Sequence, residues 1–281
     1  QNKQNSFIEE DRFYYLNFKD KTSIKLKSES RFIVANPILK KKIKKNKNKL
    51  VLCMFVDGLC YLENNEKYKF EEVMPKTFNF FKKGTIFKNH FTNADWTLPS
   101  AASFFTGCYF QKHKFFHPNY PHEFRPDIMT LSEYFQKEGY HTLQINGNLW
   151  LNPIYGYLRG FDRTIFHNYF SCAEVLNNFF EHNKSFFERD QFVWLSFMEL
   201  HNYINLIPDL QSQVNLDNIY SKEKETKKSL FRDYDEVKIK KHVQEMKRLD
   251  FYFGMLFNYI QENYSDDEFI VTMFSDHGNA F

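Results

Sequence analysis

Glycine and proline are scarce in this chain, nine and eight among 281 residues, and cysteine occurs four times. So little glycine excludes collagen-like and flexible-linker chains. Cys53, Cys60, Cys108 and Cys172 lie far apart, form no C-x-x-C pair and have no histidine at zinc spacing, so unpaired thiols are expected. Long hydrophobic runs are missing as well. Nothing approaches the roughly 20 apolar residues a membrane-spanning helix needs, and the longest run, Leu50–Val56, has strand length. Neither charge dominates: the net value is +3, with 26% charged and 42% hydrophobic residues, which allows a buried core and argues against wholesale disorder. The chain opens at Gln1 with no apolar signal segment, as a processed product or fragment would. A soluble chain is the expectation, cytoplasmic ahead of exported.

What is plentiful is aromatic: 34 Phe and 17 Tyr. Because Lys and Asn are in excess too, this surplus reads as compositional drift and core filling, not as a nucleic-acid platform. The one charge anomaly is the lysine run of residues 40–49, interrupted by Ile43, Asn46 and Asn48. It reads either as a patch for a phosphate-rich partner or anionic membrane, or as a solvated linker before the first core strand. The near-neutral whole chain supports the linker, and no nucleic-acid partner is expected. Residues 1–49 are thus an N-terminal appendage and Lys-rich linker, and residues 50–281 the main domain.

Leu50–Val56 is continuously apolar, the pattern of a strand buried on both faces of a parallel sheet, and it stops at Asp57-Gly58. A carboxylate there sits where open α/β sheets bind ligands. Residues 75–83 open with Pro and close at Gly84, as helices do, and a strand is expected over residues 85–91. Residues 101–105 read as a helix closed by Gly107, which leaves Thr97 just ahead of a helix N-terminus, where free N–H groups favour an anion. Thr130 and Glu133 form a capping box opening a helix that ends at Gly139, and residues 143–145 are a plausible strand. Residues 191–198 are a second buried strand, leading into Glu199 and His201. Residues 208–236 are an irregular surface excursion, residues 237–264 a long helix, and residues 268–274 a last strand delivering Asp276-His277-Gly278. Alternating strands and helices predict an α/β fold with a mostly parallel central sheet flanked by helices.

Three apolar strands therefore end in Asp57, in Glu199 with His201, and in Asp276 with His277, while Thr97 heads a helix. Carboxylate oxygens with an imidazole nitrogen suit a divalent ion such as Zn, Mn, Mg or Ca. Such an ion beside Thr97 would make its weakly acidic hydroxyl a usable nucleophile. Singly, each residue has an ordinary alternative as a turn, cap or half-buried group.

In this order the segments resemble the sulfatase-like branch of the alkaline phosphatase superfamily, whose fold is a three-layer sandwich. The most specific is WTLPSAASFFTG, residues 96–107, supported by VLCMFVDG, MPKTFNFFKKGTIFKNHF, LSEYFQKEGYHT, RGFD, FMELH and FSDHG. The resemblance implies metal ligands at Asp57, Asp276 and His277, a covalent nucleophile and further ligand at Thr97, and contact of His201 with the transferred group or its leaving oxygen. Asn148 and Trp150 stand where the family's G-K-W-H segment has Lys and His, which puts Asn148 on the substrate side.

Departures from the pattern refine this. Formylglycine sulfatases have Cys or Ser at the nucleophile and Arg two residues after its Pro; here these are Thr97 and Ala101, and formylglycine cannot be made from Thr. Gly58 replaces a second Asp, which disfavours calcium and leaves Zn or Mn favoured, with Mg compatible. The family also continues beyond D-H-G, so a C-terminal part is expected to be missing after Phe281. The implied activity is a metal-dependent hydrolase or transferase of sulfate or phosphate esters acting on a small-molecule, glycan or lipid ester. The alternative is an inactive relative that binds an anionic glycan or lipid headgroup. His113, His117 and Asn119 read as surface residues that could face the entrance.

Overall fold

The computed structural model describes residues 48–60, 62, 67–117, 124–168, 170–201 and 236–278, with scattered positions between 15 and 38. Its elements run β1 (Leu50–Val56), α1 (Phe70–Val73), α2 (Pro75–Phe81), α3 (Thr97–Thr106), α4 (Phe110–His113), α5 (Leu131–Lys137), β2 (His141–Asn146), β3 (Arg163–Phe166), α6 (Cys172–Ser185), β4 (Gln191–Phe197), α7 (Glu236–Asn263) and β5 (Phe269–Phe274), with two short 3₁₀ turns after β2. Among the described residues the strands form one sheet in the order β3-β2-β4-β1-β5. Every pairing is parallel, with Leu50 opposite both Gln191 and Phe269.

A parallel sheet must be covered on both faces, and alternation along β1 shows how. Leu50, Leu52, Met54 and Val56 join Leu143, Val193 and Leu195 in a core packed against α6 and α7. Cys53 and Phe55 point the other way, with Phe192 and Trp194, onto Leu98, Ala101, Ala102 and Phe105 of α3. The result is a helix–sheet–helix sandwich. The aromatic surplus fills it: Phe105 lies 4.3 Å from Trp194 and Phe80 stacks 4.1 Å from Phe257, centroid to centroid. α2 starts with Pro75 and has no side-chain cap of its own. Asp250 of α7 supplies one, accepting 2.7 Å bonds from both N and Oγ1 of Thr77.

Several expectations are corrected here. Residues 85–91 form no strand; Ile86, Phe87 and Phe91 are exposed. A β-prone stretch needs a ladder partner, and this one has none in the sheet. The helix expected over residues 101–105 begins earlier, at Thr97, because Pro99 lies in the first turn, where a missing N–H costs nothing. β3 and α6 have no counterpart in the sequence reading, although Ser171 and Glu174 form the same kind of capping box as Thr130 and Glu133. The excursion of residues 208–235 and Lys40 to Lys47 of the lysine run lie outside the described residues. The four cysteines are free thiols, as expected.

Candidate active site

Parallel strands in register bring their C-terminal ends to one edge, and this assembles the site. Val56 is opposite Phe197 and Phe55 opposite Phe274, so the residues following β1, β4 and β5 converge. Asp57 N donates to Phe197 O at 3.0 Å, anchoring the first of them. Gly58 then turns the chain at φ 73, a left-handed conformation that suits glycine, which gives a local reason for its presence after Asp57. Ser275 Oγ donates to His277 O at 2.7 Å and accepts from Leu59 N at 3.0 Å, tying the loop after β5 to the loop after β1.

Thr97 enters from the neighbouring layer. Trp96 is extended, α3 begins at Thr97, and Gly107 closes it in the left-handed region at φ 63. No side chain caps the α3 N-terminus, so its first N–H groups and positive dipole end remain available to an anion. The Thr97 side chain is buried, donates to Asp57 Oδ2 at 3.2 Å and lies 3.5 Å from His277 Nε2.

Around it the electrostatics are unbalanced. Asp57 and Asp276 are both fully buried. Among the described residues, Asp57 Oδ1 and both Asp276 oxygens have no hydrogen-bond partner. His277 Nδ1 faces Gly278 O at 2.8 Å, so it must be the donor, and Nε2 is left 3.4 Å from Asp57 Oδ1 and 3.4 Å from Asp276 Oδ2. Burial first, and then the Asp276 charge, push the Asp57 carboxyl well above the usual carboxylate range; hydrogen bonds from Thr97 and Asn148 act in the opposite direction. Ligand atoms of Asp57, His201 and His277 lie within 4.8 Å of one another. Buried carboxylate oxygens without partners among the described residues, beside imidazole nitrogens, fit a divalent cation.

The other predicted residues fall as follows. His201 is exposed, with its ring edge-on to His277 at 5.7 Å. Asn148 is buried, donates from Nδ2 to Asp57 Oδ2 at 2.6 Å and accepts at Oδ1 from Trp150 N at 2.8 Å. Glu199, read as a strand-end oxygen donor, turns instead into the protein. Its Oε1 accepts from Cys172 N at the start of α6 and lies 3.7 Å from Arg248, which also pairs with Glu245 at 2.7 Å. His113 is buried, not at the surface: Nδ1 accepts from Phe115 N at 3.0 Å, and Nε2 meets Ser103 Oγ at 3.1 Å. His117 is exposed, and Asn119 lies outside the described residues. Sequence reasoning missed Asn146 and Thr92. Asn146 Oδ1 holds Asn148 N, and Thr92 Oγ1 lies against Asp276 O and 3.0 Å from Ser100 Oγ. Their partners are distant elements or turns that no local pattern announces.

Similar folds are known. The lipoteichoic acid synthase LtaP of Listeria monocytogenes superposes with a TM-score of 0.57 at 14% identity, covering 84% of this chain and 57% of that one. The C-terminal periplasmic domain of the phosphoethanolamine transferase EptC of Campylobacter jejuni gives 0.57 at 13%, covering 83% and 70%. An alkaline phosphatase superfamily protein of Vibrio parahaemolyticus gives 0.57 at 15%, covering 85% and 57%. The chain thus spans little more than half the length of LtaP. Among the described residues no helix is long and apolar enough to cross a membrane; the EptC domain is periplasmic, which lends nothing to a cytoplasmic placement. No curated protein matches the chain. The family profile described as Sulfatase matches residues 66–281. That match covers more than half of the chain and runs through α3 to the Asp276-His277 turn, so the chain belongs to the sulfatase family.

Proposed function

We propose that the protein is a metal-dependent hydrolase or transferase of sulfate or phosphate esters, with Thr97 as the covalent nucleophile. The observation that supports this best is the position of the Thr97 hydroxyl: first residue of α3, hydrogen-bonded to Asp57 and 3.5 Å from His277, beside buried carboxylate oxygens that lack partners. Asp57, Asp276 and His277 would hold the cation, with Thr97 as a further donor, and Zn or Mn is favoured. Bound there, the cation would polarise the ester oxygens and lower the pKa of the coordinated hydroxyl.

The chain's own groups do the rest. The Thr97 hydroxyl proton is aimed at Asp57 Oδ2, so Oγ1 presents a lone pair to the incoming phosphorus or sulfur. A Thr ester forms as the bond to the leaving alcohol oxygen breaks, and the uncapped N-terminus of α3 stabilises the charge on the non-bridging oxygens. His201, exposed beside His277, contacts the transferred group or the leaving oxygen, and Asn148 lies on the same side. Water or an acceptor hydroxyl then resolves the ester. The substrate is a small-molecule, glycan or lipid ester, and residues 50–281 belong to the catalytic domain, with residues 1–49 an appendage and linker.

Turnover of aryl phosphodiesters, phosphomonoesters and sulfates by the Mn- or Zn-loaded chain tests this and separates the subclasses. Activity on one class that disappears in Thr97→Ala is expected; unchanged turnover in that variant would remove Thr97 from the mechanism. The alternative, an inactive binder of an anionic glycan or lipid headgroup, is favoured by Ala101 and Asn148 standing in place of two cationic residues. Failure to take up a stoichiometric ion on reconstitution would support it.

A further inference from the structure

Asp57 has two chemically equal oxygens that a half-turn of its carboxylate would exchange. In this structure they are not equivalent. Oδ2 receives both hydrogen bonds, from Thr97 Oγ1 at 3.2 Å and from Asn148 Nδ2 at 2.6 Å, and Oδ1 receives none and faces His277 Nε2 at 3.4 Å. The orientation of Asn148 is dictated by its partners. A carboxylate can only accept and a backbone N–H can only donate, so Nδ2 must face Asp57 and Oδ1 must face Trp150 N, which reaches it at 2.8 Å. Asn146 is locked by the same logic: its Oδ1 accepts from Asn148 N at 2.9 Å, and its Nδ2 donates to Leu151 O at 2.8 Å. Both asparagines are buried. The amide pair therefore runs from the end of β2 through the turn after it to the carboxylate after β1, with no rotational freedom at either amide.

We propose that Asn148, held by Asn146, is a positioning residue: it breaks the symmetry of the Asp57 carboxylate, committing Oδ2 to the Thr97 hydroxyl and reserving Oδ1 for the cation. This rests on the reading of the site as a cation-dependent one. Its consequence is that Asp57 engages the ion through a single oxygen, while the other keeps the nucleophile's hydroxyl oriented. Outer groups that orient a ligand in this way affect metal affinity strongly, by about 10–100-fold when removed.

The test is Mn2+ affinity of the 281-residue chain by isothermal titration calorimetry, together with the EPR spectrum of the bound Mn2+. Asn148→Ala is expected to weaken binding by about 10-fold or more and to change the EPR line shape, because Asp57 is then free to bind through both oxygens. Asn146→Ala, which leaves the Asn148 side chain in place, moves both readouts in the same direction by less. Asn183→Ala is the control for a buried amide elsewhere: Asn183 bonds Tyr259 and Tyr264, far from these ligands in the chain, and its variant binds Mn2+ as the parent does. Should Asn148→Ala fail to fold, judged by far-UV circular dichroism, the Asn146→Ala result decides. Parental affinity and line shape in the asparagine variants overturn the clamp alone. A parent chain that takes up neither Mn2+ nor Zn2+ overturns the clamp together with the cation reading.

Discussion

Nε2 of His277 lies 3.4 Å from Oδ1 of Asp57, an oxygen that has no hydrogen-bond partner among the described residues. Nδ1 donates to Gly278 O, so the Nε2 lone pair is the one turned toward Asp57. A cation bound here would find an acceptor atom on each residue. The same holds for Asp276 Oδ2, also 3.4 Å from Nε2. These acceptor atoms are the ones the proposed cation would use, and variants at them test the proposal.

Asp276→Asn removes one of the two buried carboxyl groups. The Asp57 carboxyl is raised above its usual range, so between about pH 4 and that raised value the unfolded chain has already lost a proton the native state retains, and the Asp57 contribution to metal-free stability falls as pH rises. At pH 7 in EDTA, Asp276→Asn should melt higher than the parent. Added Mn2+ should raise the melting temperature of the parent and not that of the variant. Equal stabilisation of both by Mn2+ would show that Asp276 holds no ion.

Thr97→Ser keeps the hydroxyl at the start of α3, and Thr97→Ala deletes it. On whichever ester class the parent turns over, Ser should retain activity within about tenfold and Ala should lose about three orders of magnitude or more. Both should melt close to the parent. A Ser variant as inactive as Ala would mean the threonine methyl, not its oxygen, matters.

Acid sensitivity has a separate source. Burial pushes His113 down to about 4 and His242 to about 4, and also lowers His141 and His182. A free histidine titrates near about 6.5. Between those values the unfolded chain takes up protons the native state refuses, so this contribution is full above 6.5 and is lost as pH falls toward 4. This contribution opposes that of Asp57, so it is read as a difference: the melting temperature of the metal-free parent relative to His113→Asn should fall from pH 7 to pH 4. An unchanged slope in His113→Asn would place the sensitivity with the other histidines.

Gly160→Ala tests a packing joint remote from the site. Gly160 has φ 74, and an added Cβ would fall 2.2 Å from Glu133 N and 2.6 Å from Glu133 Cα. Backbone cannot yield as a flexible side chain would. Ser132 Oγ bonding Arg159 O at 2.6 Å and the Arg159 to Glu133 ion pair at 2.9 Å hold the two segments together. A loss of about 2–4 kcal/mol is expected by denaturant unfolding. A loss under about 1 kcal/mol would show that α5 can move.

The sequence by itself determined the elements whose signals are local. Leu50–Val56 could only be a buried strand, since no polar residue interrupts it; Thr130 and Glu133 could announce a helix start because both groups of a capping box lie within one turn; and Asp57, Thr97 and Asp276-His277 stood out as acids, a hydroxyl and an imidazole at the ends of apolar segments. Tertiary structure decided everything that depends on which distant atom is nearest. Placing β1 between β4 and β5 set Asp57 beside Asp276 and left Asp57 Oδ1 and both Asp276 oxygens without a hydrogen-bond partner among the described residues. The N–H at the start of α6 and the Arg248 guanidinium drew Glu199 into the interior, although its sequence position was as suggestive as that of Asp57. His113, one more polar residue in a loop to the eye, is buried because Phe115 and Ser103 satisfy its two nitrogens. Asn148 meets Asp57 only because β2 runs parallel to β4 and ends at the same edge. A side chain's reach is a few ångströms, so its role is set by the strand order that packing selects and that no stretch of neighbouring residues encodes.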